Sequence, residues 1–364
     1  MRRREHYYCV DKRIIVSSFW GNDFQKSLEQ WNGEYIVTSP DIDGILSACL
    51  LGEKYGARLA GIYTTRYLIL FDNVSATDIK NALWLDHDIS HEGIQCMGQH
   101  LVDHSKLDNL SKREKNSFNP NNYFKQTWKD SFHGSNMKKG KRDKYPYATV
   151  HFLMHGLGIK DPDLYTNHFH LLAHADGSWA TCVDYEENTN VWWRLMFPCL
   201  GLIQNLNSGY TDDPKNLIGH TRVVNDLINL GIAKRSSRSS PSTLIPIDWR
   251  GLQGKQSISY RKNLDPQAWL TKFNGVLRYV ISETGWNINI PQLVTSMYRG
   301  LVLEVSNRGD IKDGDFDQFM FDEDIFSHAI TGAGTMRFTK RISITDTIKS
   351  YEEIYSYNSI FFKK

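Results

Sequence analysis

The chain has 364 residues, 40% of them hydrophobic and 12% aromatic, with 10 tryptophans and 18 tyrosines. That is ample material for a sizeable core, which excludes a largely disordered polymer, and the length leads us to expect two domains. A formal net charge of +2 marks neither a polybasic nor a polyacidic protein, so local clusters matter more than the sum.

Met1-Arg2-Arg3-Arg4 is basic but lacks the apolar stretch of a secretory signal, and no later run is long enough to span a bilayer. The five cysteines form no CxxC pair. Their odd number and wide spacing argue against a disulfide scaffold or a thiolate zinc site. The expectation is reduced, buried cysteines, a cytoplasmic setting and no membrane partner.

In chain order, Glu34 to Thr38 reads as a short strand ended by Ser39-Pro40. Gly44 to Tyr55 carries apolar residues at helical spacing. Arg58 to Tyr63, Asn81 to Leu85 and Gln99 to Val102 read as strands, the last two ending at an acid. Alternation of strands and helices with continuous apolar runs predicts an α/β fold, a mainly parallel sheet with covering helices. Ser105 to Tyr145 is polar and too long for a bare connector. Helical character returns over Tyr147 to Leu157 and again from about Pro162 to Ala175. Residues 235–243, rich in Ser and Arg, read as a linker. They would separate a catalytic domain (1–234) from a smaller C-terminal mixed α/β domain (244–364), in which Gly275 to Ser282, Leu301 to Ser306 and Thr335 to Ile344 have strand-like content.

Asp41 and Asp43 are two positions apart, and Gly44 permits a close turn into the following helix. Asp86 follows one apolar strand, Asp103 and His104 follow another, and Asp176 follows a helix. Acids at the carboxyl ends of parallel strands lie where ligands bind in such sheets. Gathered together they would repel one another unless a cation sat among them. Oxygen and imidazole donors without cysteine suit Mn2+ best, with Mg2+, iron or zinc as alternatives. Each residue also has a plainer reading: Asp86 as a cap, Asp103 as a partner of His104, Asp176 as a helix stop. His151 and His155, four apart on one helical face, are not the HExxH motif and read as packing residues; His87 and His174 are further candidates for the metal or its surroundings.

Taken together, Asp41-Ile42-Asp43-Gly44, Leu85-Asp86-His87-Asp88, Val102-Asp103-His104-Ser105 and His174-Ala175-Asp176-Gly177 resemble the four motifs of the DHH phosphoesterase superfamily. The Asn119-Pro120-Asn121 turn is also similar to a segment common after the third motif, and the resemblance covers roughly residues 34–200. It implies that Asp41 and Asp43 serve different cations, that Asp86 bridges them, and that His104 and Asp176 complete one coordination sphere. Asp103 would orient His104, making Asp86, Asp103 and His104 the catalytic set. Two departures stand out. Ser105 replaces the second histidine of the third motif, which in the family helps hold phosphate, and Val37 replaces a histidine that often precedes the first acidic pair. One or two ions therefore remain open, as does loss of catalysis.

Lys138, Lys139, Lys141 and Arg142, close to Tyr145 and Tyr147, combine charge with aromatic faces. That combination suits single-stranded DNA or RNA, an oligonucleotide or a cyclic dinucleotide, though a solvated surface loop would look the same. Thr331-Gly332-Ala333-Gly334 with Arg337 is similar to the family's glycine-rich substrate segment, or is a simple turn. The leading expectation is a metal-dependent phosphodiesterase or exonuclease. The alternatives are a degenerate nucleotide-binding or nucleic-acid-binding module and a small-molecule phosphatase or pyrophosphatase.

Overall fold

In the computed structural model, Tyr35–Thr38 (β1) is buried along its whole length and has parallel neighbours on both sides. The residues described are 20–65, 67–89, 94–99, 117–123, 145–184, 189–190, 192–193, 201–207, 210, 212–230, 266–299, 301–306, 325–332 and 335–340. Around β1 lie Arg58–Tyr63 (β2), Tyr67–Phe71 (β3), Leu83–Leu85 (β4), Gln95–Met97 (β5) and Val294–Arg299 (β6), in the order β5-β4-β1-β2-β3-β6. The β5-β4, β4-β1 and β1-β2 pairs are parallel; β2-β3 and β3-β6 are antiparallel. The chain leaves β1 towards β2 and later crosses to the other side to form β4. In open α/β sheets such a reversal is where ligands bind, here at the carboxyl ends of β1 and β4.

Both faces of the sheet are covered, as its unbroken apolar strands require. Ile36, Leu59, Ile62, Leu83, Leu85 and Met97 belong to one core cluster; Val37, Ala60, Tyr63, Trp84 and Cys96 belong to another. The first includes residues of Gly21–Gln30 (α1) and Ile42–Tyr55 (α2). The second includes Ile79 of Ala76–Asn81 (α3), which a Ser75–Asp78 capping box starts. Thr149–Gly156 (α4) and Asn167–His174 (α5) follow, then Ser178–Asp184 (α6), Gly201–Asn207 (α7) and Pro214–Asn229 (α8). Cys49, Cys96 and Cys182 are buried.

Gly275 to Ser282 is not a strand but part of the helix Pro266–Thr284 (α9). Its β-branched content is outweighed by the longer period: Trp269, Leu270, Phe273, Val276, Leu277 and Val280 form one buried face in the first core. With β6, α9 joins the first sheet and its core. The expected linker lies outside the described residues, and these residues establish no distinct split into two domains. Of the strand expected at Gln99 to Val102, residues 100–102 lie outside the described residues; Gln99 occupies a bend that follows β5. Gly98 marks the bend by close approach: a Cβ there would stand 2.4 Å from the His87 carbonyl oxygen.

Leu301–Ser306 (β7), Ile325–Gly332 (β8) and Thr335–Lys340 (β9) form a second, antiparallel sheet, ordered β7-β9-β8. Gly332 pairs with Thr335, so the glycine-rich segment joins two adjacent strands, and Arg337 lies within β9 opposite Glu304 and Ala329. This sheet meets the first through the Ile89–Ser327 bridge and a 2.6 Å hydrogen bond between the Tyr63 and Ser327 hydroxyls. Removing that buried hydroxyl in Tyr63→Phe is expected to cost about 1 kcal/mol in denaturant unfolding. An unchanged midpoint would show that the contact contributes nothing.

Candidate metal centre

One carboxylate oxygen each from Asp43, Asp86 and Asp176 lies within 4.8 Å of the others. Three segments distant in sequence deliver them. Asp43 sits in the first turn of α2, whose entry is unusually tight. The Asp41 carboxylate caps the helix by accepting the Gly44 N–H at 2.9 Å, and Thr38 Oγ1 donates to the Gly44 carbonyl at 2.8 Å. Asp86 leaves β4 in the left-handed conformation, φ 58°, with its N–H donated to the Met97 carbonyl at 2.7 Å. Asp176 is also left-handed, φ 51°, in the 3-10 turn Ala175–Gly177 after α5. Non-glycine residues rarely adopt this conformation, though Asp tolerates it better than most.

Polar groups hold the carboxylates in place. Asp43 accepts the first two N–H groups of α4, from Thr149 at 2.7 Å and Val150 at 2.8 Å, so it reaches across the fold to cap that helix. Thr149 also donates its hydroxyl to Asp86 at 3.2 Å. The Gln99 amide donates to Asp176. Ser39 Oγ lies 2.6 Å from Asp86 Oδ2 and 2.8 Å from Asp41 Oδ1. One hydroxyl proton cannot serve two anions, so without a cation the arrangement balances when Asp86 carries a proton.

Burial agrees with this. Asp43 and Asp86 are buried, at 1% and 2% exposure, whereas Asp176 is exposed and opens the cluster to solvent. Desolvation, followed by repulsion from Asp86, Asp176 and Asp41, holds Asp43 well above the usual carboxylate range. Desolvation, then Asp41 and Asp176, does the same for Asp86.

The remaining expected site residues fall as follows. Asp41 stands beside the cluster, joined to Asp86 through Ser39. His87 packs edge-on against Tyr63, with ring centres 5.0 Å apart, and lies 6.3 Å from Trp84. His174 faces His220. His151 is fully buried and structural: its Nδ1 accepts the Ala148 N–H and its Nε2 donates to the Leu172 carbonyl, tying α4 to α5. Asp103, His104, Ser105, Lys138, Lys139, Lys141 and Arg142 lie outside the described residues, and of the Arg337 side chain nothing is described. Tyr145 and Tyr147 are core residues rather than stacking platforms. Each is 1% exposed, and their hydroxyls donate to the Ala148 and Thr189 carbonyls.

Sequence reasoning missed Thr149 and Gln99 as supports, and only the placement of Thr149 at a helix start hinted at its part. Thr149→Val keeps the N–H to Asp43 but removes the hydroxyl from Asp86. Loss of such a supporting partner is expected to weaken divalent-ion affinity about 10-fold or more in calorimetric titration; unchanged affinity would show that the hydroxyl is idle.

Among the described residues no helix is long and apolar enough to cross a membrane. The buried acidic cluster is a plausible divalent-metal site of the kind metal-dependent enzymes use. No protein-family model, curated protein or solved structure matches the chain, so its chemistry is argued from this geometry.

Proposed function

We propose that the chain is a metal-dependent phosphodiesterase acting on short single-stranded oligonucleotides, with Asp43, Asp86 and Asp176 as the core of its cation site. The convergence of these three carboxylates carries the reading. The donor set fits a hard divalent cation: all oxygen, largely buried, and mutually repulsive without positive charge. Mn2+ is the preferred ion and Mg2+ the alternative. When bound, the ion supplies Lewis-acid polarisation of a phosphoryl oxygen and lowers the pKa of a water.

The chain's own groups do the positioning. Two backbone N–H groups fix Asp43, the Ser39 and Thr149 hydroxyls fix Asp86, and the Gln99 amide fixes Asp176. The exposed side at Asp176 is the entry for substrate. Asp103, His104 and Ser105 are proposed in the roles the motif resemblance implies, and the basic cluster at Lys138, Lys139, Lys141 and Arg142 as a phosphate-attracting segment. The order and spacing of the acidic motifs support phosphodiester chemistry over other metal-assisted hydrolysis.

A labelled oligonucleotide of a few residues is expected to be cleaved with Mn2+ present and left intact with chelator. Absence of cleavage across DNA, RNA and cyclic dinucleotides would overturn the proposal. One observation favours a non-catalytic binding module instead: both Asp43 oxygens already accept N–H groups of α4. On that reading Asp43→Asn would leave Mn2+ affinity unchanged, whereas the enzyme reading expects a large loss.

A further inference from the structure

A second cluster of metal-ligating side chains lies on α5 and α8. His170 and His174 are one turn apart on α5, and His220 lies on α8, which packs against it. All three rings are buried, at 0%, 2% and 3% exposure. Ring centres of His174 and His220 are 5.1 Å apart, and Trp179 covers His220 at 4.9 Å. His170 Nδ1 lies 2.7 Å from the Tyr210 hydroxyl, which lies 3.4 Å from His220 Nδ1. Gly219 makes room for this packing, since a Cβ there would stand 1.8 Å from His170 Nε2.

Of the six ring nitrogens of these three histidines, four have no hydrogen-bond partner among the described residues: His170 Nε2, both nitrogens of His174, and His220 Nε2. Burying such a group unpaired costs roughly 1–3 kcal/mol, and folded proteins keep few of them. An orphaned His170 Nε2 walled in by Gly219 is explained by packing. Three more on two facing imidazoles call for a ligand between them.

We propose that His174 and His220 bind one divalent transition-metal ion of the imidazole-preferring class, such as Zn2+, at a site separate from the carboxylate cluster. With metal–nitrogen bonds of about 2.0–2.1 Å, two imidazoles on a tetrahedral ion place their ring centres about 5 Å apart. The observed spacing matches. His220 Nε2 is a ligand only as the tautomer protonated at Nδ1. The Tyr210 oxygen is placed to accept that proton, while its own proton goes to His170 Nδ1. This is the supporting bond that metal-bound histidines characteristically make. Among the described residues only the carboxylate cluster gathers three ligand atoms within 4.8 Å, so these residues give the histidine site two protein ligands, and water completes it. Nitrogen donors favour Zn2+ or Co2+, whereas the all-oxygen cluster favours Mg2+ or Mn2+.

The test uses the full chain carrying Asp86→Asn, so that the carboxylate site does not compete, and titrates it with Co2+ while reading visible absorption and bound metal. About one equivalent of Co2+ with imidazole-type d–d bands is expected, lost when His220→Gln is added. Tyr210→Phe is expected to weaken Co2+ binding about 10–100-fold with an unchanged far-UV circular dichroism spectrum, and it keeps the test decisive should the histidine variant fail to fold. No Co2+ bound by Asp86→Asn, or binding unaffected by both further substitutions, would overturn the proposal and leave buried water as the partner of these nitrogens. Mn2+ binding by the His220→Gln single variant reads the carboxylate site on its own.

Discussion

Asp86→Asn is expected to abolish the rise in thermal stability that Mn2+ gives the wild-type protein, while making the cation-free protein more stable than wild type. Asn is nearly isosteric with Asp and tolerates the left-handed backbone at this position, φ 58°. The substitution therefore removes charge without adding backbone strain, which Asp86→Ala would not do. Its effect on cation affinity should exceed the roughly 10–100-fold that loss of a supporting partner costs.

The sign of the stability change follows from linkage. Asp43 and Asp86 titrate above their ordinary value in the folded state, so the fold holds their protons more tightly than the unfolded chain does. Their contribution is most favourable below the ordinary carboxylate pKa, about 4. It is lost as pH rises from there through their raised folded values. Cation-free wild type should therefore lose stability relative to Asp86→Asn as pH increases. The gap at neutral pH should reach about 1–2 °C in Tm if the relief is ~1 kcal/mol. Saturating Mn2+ should remove this pH-dependent loss from wild type and leave the variant unaffected. A variant less stable than wild type at neutral pH without cation would mean that Asp86 serves the fold through its hydrogen bonds alone.

Gly44→Ala is expected to damage fold and site together. A Cβ at this position would stand 2.1 Å from Ser39 Oγ and 2.6 Å from both the Ser39 carbonyl oxygen and Thr38 Oγ1. Two of these contacts are with the groups that organise the loop: Thr38 Oγ1 donates to the Gly44 carbonyl, and Ser39 joins Asp41 to Asp86. The backbone of Ser39 cannot retreat without moving the end of β1. Overpacking of this kind costs about 1–3 kcal/mol, and Mn2+ affinity should fall at least about 10-fold as Ser39 is displaced. Denaturant unfolding and calorimetric titration read the two effects. Full stability with full affinity would show that the loop can relax, and that the tight entry to α2 has no part in shaping the site.

The sheet and the acids at its strand ends were legible because their signals are local. Tyr35, Ile36 and Val37, followed by Thr38, make β1 before Ser39 ends it, and helical spacing after Gly44 makes α2. What sequence alone misread were features set by partners far along the chain. Val276, Val280 and Ile281 look like strand residues until the helical face beginning at Trp269 is read with them. Asp43 looked only like a ligand, yet its carboxylate also caps a helix beginning more than 100 residues later, at Thr149. Tyr145 and Tyr147 looked available for stacking because they follow a run of lysines, but Tyr145 packs on Phe152 and Trp192 in the core, and Tyr147 packs on Tyr145 and His151. The histidines of α5 carried no signal towards His220, because the packing of α8 on α5 brings them together.

Placing Mn2+ directly, by anomalous diffraction from crystals grown with the ion, tests the central claim most directly. One ion is expected, with oxygens of Asp43, Asp86 and Asp176 about 2.0–2.6 Å away, and Thr149 and Val150 still bonded to Asp43. Density for Mn2+ only at other residues, with these three side chains unmoved, would contradict it.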